Sequence, residues 1–234
     1  MDESDMKIEG ISKKYKNKVI LNEVSLSADK GTCIGILGGN GSGKSTLLSI
    51  LAGVQRPDTG RVLWGNEDLL QKQKLREQLV GYVPQGNPLF EELTAWDNLR
   101  LWYGKKELEK ELSDGILALL GVDGFIDVPV RKMSGGMKKR LSIGCSVANH
   151  PEVLLLDEPS AALDLICKES IYHYIEKFKQ EGGRVLLATH EVTEVALCDK
   201  CYILADGTLT PYEYDGDVHR LVHLLQGIKE NEIG

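Results

Sequence analysis

The chain lacks an apolar run long enough to cross a membrane. Its longest, from Ile116 to Val122, covers seven residues, far short of the ~20 that a helical span needs. It lacks a basic leader as well: Met1-Asp2-Glu3-Ser4-Asp5 is acidic and polar, so a secretory signal is not expected. It lacks the even, regularly spaced cysteines of a disulfide scaffold. Its five cysteines imply reduced thiols and a cytoplasmic setting. It has no excess of positive charge. The net charge of −7, with no long basic run to offset it, argues against nucleic acid as a partner. The short clusters Lys13-Lys14 to Lys18 and Lys138-Lys139-Arg140 read as solvated faces. Internal repeats, low-complexity linkers and sustained heptads are absent too. Two metal-like spacings are weak. Cys198 and Cys201 form a lone C-x-x-C with no second pair, and His219 and His223 stand at i, i+4 without the glutamate that an H-E-x-x-H site uses as base.

What is present is an ordinary globular composition. The chain has 234 residues, 42% hydrophobic and 27% charged, enough for one large α/β domain with its own core. Apolar runs at 33–37, 80–83, 153–156, 185–188 and 202–204 alternate with helix-like stretches, the signature of a parallel sheet flanked by helices. Runs at 7–12 and 21–28, separated by the polar 13–18 stretch, and a strand at 61–64 after the turn Pro57-Asp58-Thr59-Gly60 predict an antiparallel sheet beside it. Leucines recur at helical intervals from Leu99 to Leu120, which predicts an inserted helical subdomain of about 88–150. Within it Trp96, Trp102 and Tyr103 are expected to pack in the core.

One segment names a ligand. Gly38-Gly39-Asn40-Gly41-Ser42-Gly43-Lys44-Ser45 is a complete G-x-x-x-x-G-K-[ST] phosphate loop, followed by Thr46. Its glycines let backbone N–H groups turn inward on a phosphate chain, Lys44 supplies a point charge, and the Ser45 hydroxyl can reach a Mg²⁺ ion. The loop joins the apolar run 33–37 to a helical face of Leu47, Leu48, Ile50 and Leu51, so phosphate would sit at a helix N-terminus. A second segment complements it. Val153-Leu154-Leu155-Leu156 runs into Asp157-Glu158, and a buried strand ending in a carboxylate can hold Mg²⁺ beside Ser45. Glu158, one residue on, would point away from Asp157 and could polarise water.

Taken together these motifs resemble the ATP-binding cassette ATPases. Between Lys44 and Asp157 stands Met133-Ser134-Gly135-Gly136-Met137, similar to that family's signature. Tyr15 corresponds to the aromatic that stacks on adenine, and Gln85 to the glutamine that senses Mg²⁺ and the transmembrane partner. The stretch from Glu158 to Asp164 corresponds to the catalytic glutamate and the dimer-contact loop, and His190 to the histidine on the γ-phosphate. The resemblance covers about residues 7–215 and extends the expected unit over 1–234 as one nucleotide-binding domain. It implies a P-loop NTPase core in which ATP is held by Tyr15, by Gly38, Asn40, Gly41, Ser42, Gly43, Lys44, Ser45 and Thr46 of the loop, and by Ser134, Gly135, Gly136 and Asp164. Mg²⁺ would lie at Ser45, Gln85 and Asp157, and catalysis would rest on Glu158, His190, Gln85 and Lys44.

It implies as well a head-to-tail dimer, of two copies or of this chain with a related one, at the inner face of the cell membrane on separate integral membrane subunits. Met137 stands where the signature usually has Gln. With Lys138-Lys139-Arg140-Leu141, and with no long C-terminal regulatory domain, it points to the exporter-type branch. Cassettes acting on DNA carry a long coiled coil between the phosphate loop and the signature, and ribosome-acting ones usually carry two cassettes. Here the gap from Ser45 to Ser134 is short and the cassette single. A non-hydrolysing switch that assembles a membrane complex would not need the Glu158 and His190 pair.

Overall fold

The structure, a computed structural model, describes residues 5–225, so residues 1–4 of the acidic start and 226–234 lie outside it. Its strands are β1 (Met6–Tyr15), β2 (Lys18–Ala28), β3 (Cys33–Leu37), β4 (Thr59–Trp64), β5 (Glu67–Asp68), β6 (Val80–Val83), β7 (Val153–Asp157), β8 (Arg184–Thr189), β9 (Lys200–Ala205) and β10 (Thr208–Tyr212). Its helices are α1 (Lys44–Leu51), α2 (Gln73–Leu79), α3 (Ala95–Arg100), α4 (Lys105–Ser113), α5 (Ile116–Leu119), α6 (Gly135–Ser146), α7 (Leu165–Gln180), α8 (Val192–Val195) and α9 (Val218–Leu225).

Six strands form the main sheet in the order β10-β9-β3-β8-β7-β6, parallel except for the β9–β10 hairpin at one edge. Every residue of β3, β7 and β8 is buried. That is why these segments read as unbroken apolar runs rather than alternating ones: both faces are covered. Along β7 the coverage alternates. Leu154 and Leu156 pack among residues of α6 and α7, including Leu141, Ile171 and Ile175. Val153 and Leu155 pack with Leu47 and Leu48 of α1 and with Ile8 and Leu26 of the second sheet. That second sheet, β2-β1-β4-β5, is antiparallel. Helices α3 to α6 fall between β6 and β7. The architecture expected from the sequence, a mainly parallel core with an antiparallel sheet and inserted helices, is the one found.

Details differ for physical reasons. The polar 13–18 stretch is not a separate connection. It is the tip of a hairpin in which Lys14 pairs with Val19 and Tyr15 with Lys18, and Lys16 turns at φ 52. Trp102 is 59% exposed, not core, whereas Tyr103 beside it is buried with its hydroxyl donating to the Gly144 carbonyl at 2.8 Å. Adjacent residues on a helical turn face different sides, so one aromatic is packed and the next is solvated.

Candidate active site

Ligand sites in open α/β sheets gather at the carboxyl ends of the strands. Four connections leave that edge here: the phosphate loop after β3, Gln85 after β6, Asp157 and Glu158 at the end of β7, and His190 after β8. Gly43 closes the loop as the N-cap of α1 at φ 111, a conformation that side-chain-bearing residues rarely adopt. A cavity of about 320 Å³ opens over residues 40–46 and is completed by Ile20, Gln85 and Glu158.

The side chains at this cavity are arranged around two charges. Lys44 is 4% exposed, and its ammonium donates to the carbonyls of Gly38 at 2.7 Å and Gly39 at 3.2 Å. It also lies 3.7 Å from Glu158 Oε1. Burial pulls its pKa below the ordinary lysine value, against the opposing pull of Glu158 and Asp157. Glu158 is the meeting point: Gln85 Nε2 donates to its Oε2 at 2.9 Å, and His190 Nδ1 lies 3.1 Å from its Oε1. Strand alternation would aim Glu158 away from Asp157. Instead β7 ends and Glu158 takes φ 48, held by its N–H on the Ala188 carbonyl at 2.9 Å. The left-handed turn brings the carboxylate back over the loop, and strained backbone of this kind concentrates at functional positions.

Asp157 is buried and its Oδ1 has no partner, while the nearby Ser45 hydroxyl works against the effect of burial on its carboxyl. Burial pushes its pKa up. A buried, half-satisfied carboxylate next to a hydroxyl, with the Gln85 amide across the cavity, is a hard-oxygen donor set. Ser45, Asp157 and Gln85 therefore fit a Mg²⁺ ion.

The remaining expected residues stand apart from this cluster. Tyr15 is exposed on the β1–β2 hairpin, two residues by strand pairing from Ile20 of the cavity wall, and its hydroxyl donates to Gln55. Ser134 caps α6, its hydroxyl accepting from the Met137 N–H at 3.2 Å, and Gly135 and Gly136 open that helix. Asp164 caps α7 in the same way, accepting from the Cys167 N–H at 2.9 Å, and that bond holds its carboxyl below the ordinary range. None of Ser134, Gly135, Gly136 and Asp164 lines the phosphate-loop cavity.

Sequence reading missed one residue and misplaced two others. Glu194 Oε1 accepts from the Ser160 N–H at 3.1 Å, which ties the loop after Glu158 to the helix after His190. Lys139, expected on a solvated face, is 4% exposed and donates to the carbonyls of Pro84 at 3.0 Å and Gln85 at 3.2 Å. Arg140 is likewise engaged, over the Phe125 ring and on the Leu120 carbonyl. The signal for Lys139 was helical spacing, since it lies one turn from Gly136 and from Ile143.

The family described as ABC transporter matches residues 21–161, more than half of the chain. The Nod factor export ATP-binding protein I of Sinorhizobium fredii (strain NBRC 101917 / NGR234) is 35% identical over 213 residues, covering 87% of this chain and 62% of that protein. The spermidine/putrescine import ATP-binding protein PotA of Spiroplasma citri is 34% identical over 218 residues, covering 89% and 61%. This chain thus spans less than two thirds of the length of either relative. Among solved structures, the dimeric post-hydrolysis state of the ATP-binding cassette MJ0796 bound to ADP and Pi superposes with a TM-score of 0.79 at 27% identity, covering 91% of this chain and 100% of that one. With the motifs, the fold and these likenesses in agreement, the chain belongs to the ABC transporter family, as an ATP-binding cassette.

Proposed function

We propose that the chain is the ATP-hydrolysing subunit of a transporter, working as a dimer of cassettes on separate membrane subunits. The observation that carries this reading is the convergence of Lys44, Gln85 and His190 on the Glu158 carboxylate at the mouth of the phosphate-loop cavity. In this reading residues 1–234 form one nucleotide-binding domain, with residues 88–150 as its helical insert.

A triphosphate entering over residues 38–46 would exchange the bonds between Lys44 and the Gly38 and Gly39 carbonyls for bonds to phosphate oxygens. The exposed ring of Tyr15 offers a flat face to adenine. Mg²⁺, held by Ser45, Asp157 and Gln85, would neutralise phosphate charge. Glu158 would then turn its carboxylate to water and take the proton as it attacks. His190 has a distinct part. A carboxylate only accepts, so the contact with Glu158 puts the proton on Nδ1, and a neutral ring keeps a lone pair at Nε2. Contact with a γ-phosphate oxygen therefore requires a proton on Nε2, which a neutral ring carries once Glu158 has turned to water.

Ser134, Gly135 and Gly136 lie outside this cavity, at the N-terminus of α6. In this reading they serve the nucleotide held by a second cassette, with Asp164 at the seam. Among the described residues no helix is long and apolar enough to cross a membrane, so force would pass to a separate subunit. A groove of about 470 Å³ that includes Tyr82, Leu89, Phe90 and Trp102 suits that contact, and Phe90 and Trp102 are largely exposed in it.

The test is Glu158→Gln. Turnover should fall about 10²–10⁴-fold while ATP still binds. Turnover within about twofold of the unaltered chain would remove Glu158 from the role of base.

A further inference from the structure

Lys139 belongs to none of the nucleotide-contacting groups, yet it is buried. Burying a cation is costly unless partners offset it, and here burial pulls its pKa down against the opposing pull of Asp157, Glu194 and Glu158. A methionine of similar length would fill the same space without that cost. What the ammonium adds is its bonds to the Pro84 and Gln85 carbonyls, in the connection that follows β6.

Those bonds are one end of a longer clamp. At the other end of α6 the Ser146 hydroxyl donates to the Tyr82 carbonyl at 2.9 Å. There the two backbones approach so closely that a Cβ on Gly81 would lie 2.6 Å from the Ser146 carbonyl oxygen. Positions 139, 142, 143 and 146 share one helix face, and that face is docked along β6 and the connection after it, from Gly81 to Gln85. The N-terminus of the same helix carries Ser134-Gly135-Gly136, about one and a half turns from Lys139. The backbone of Gln85 cannot shift alone. It moves with α6 or it breaks two charge-assisted hydrogen bonds.

We infer that Lys139 is a positioning residue that pins the backbone of Gln85 to the signature-bearing helix and so fixes the Gln85 side chain over the nucleotide cavity. The inference rests on the proposed function insofar as Gln85 serves bound nucleotide.

A double-mutant cycle on the purified chain tests it. Lys139→Met should lower kcat about tenfold and raise the Mg²⁺ concentration for half-maximal rate, whereas in a Gln85→Ala background it should change kcat by less than about twofold. Lys139→Arg, which keeps a donor, should retain more activity than Lys139→Met. A tenfold loss in both backgrounds, or no loss in either, overturns the pin. Amide hydrogen exchange gives a reading independent of hydrolysis. Lys139→Met should speed exchange at 82–83, the end of β6, and at 137–138, the first bonded amides of α6, together, at an unchanged melting temperature. If Gln85→Ala leaves turnover intact, the role proposed for Gln85 fails while the exchange result still decides the pin. Unchanged exchange at both segments overturns it.

Discussion

At the scale of single residues, the site is built from groups that the protein alone does not fully satisfy. Asp157 keeps a buried oxygen without a partner, and Lys44 spends its ammonium on carbonyls of its own loop. Such groups persist where a ligand completes them. Saturating Mg-ATP, at about 100 times its Kd, should stabilise the unaltered chain by about 2.7 kcal/mol. Lys44→Ala should lose about 1.5–3 kcal/mol of nucleotide affinity, so the same nucleotide concentration should stabilise it by less than about 1.5 kcal/mol. Denaturant melts with and without nucleotide measure this, and equal stabilisation of both chains would remove Lys44 from phosphate binding. Lys44, Asp157 and Glu158 were legible because a loop motif and the end of an apolar strand are local patterns. The aim of Glu158 was not, because a single φ of 48 reverses strand alternation and leaves no mark in residue type. Lys139 was hidden for a related reason: a lysine inside a Lys-Lys-Arg run looks solvated until a helix face is assigned to it.

At the scale of elements, legibility followed burial. Strands β3, β7 and β8 announced themselves because no residue in them is exposed. Helix α2 has no buried residue and β10 contains Pro211, so neither carries a periodic apolar signal. Helix α6 invites a test, since Ser134 both caps it and is proposed to meet nucleotide. Ser134→Ala should cost about 1 kcal/mol of stability and Ser134→Gly only a few tenths. If the hydroxyl touches phosphate, both should lose turnover equally. Activity that tracks stability instead would reduce Ser134 to a cap.

The antiparallel sheet offers a pH test. Asp58 accepts from the Lys14 N–H at 2.7 Å and from Lys13 Nζ at 3.1 Å, linking β1 to the turn that enters β4. These bonds hold its carboxyl below the ordinary 3.8. A depressed folded-state pKa gives stability that is complete above the unfolded value and lost as pH falls through the folded one. The unaltered chain should thus lose this contribution as pH falls through the ordinary carboxylate value of 3.8 and below it, and Asp58→Asn should be less stable at neutral pH with a flatter acid limb. Parallel acid limbs in the two chains would assign the loss to other carboxylates.

At the scale of the whole molecule, the decisive feature is what one chain leaves unjoined. Lys44, Gln85, Glu158 and His190 converge, while Ser134 stands at the far end of α6 outside their cavity. If two copies pair about a two-fold axis, each nucleotide is held by Lys44 of one chain and Ser134 of the other, and the interface repeats itself as closed symmetry requires. Complementation distinguishes this from a site complete within one chain. Lys44→Ala and Ser134→Phe should each inactivate a homodimer, because both of its sites carry the lesion. In a mixed dimer of the two, the lesions fall together in one site and the other regains an unaltered Lys44 and Ser134. Half of the dimers in an equal mixture are mixed and half of their sites are intact, so the mixture should recover about one quarter of the unaltered rate if the sites turn over independently. If each chain housed a complete site, the mixed dimer would have one lesion in each and the rate would stay at background. The outcome therefore depends on where the signature helix points in the assembly, the one relationship that no single chain contains.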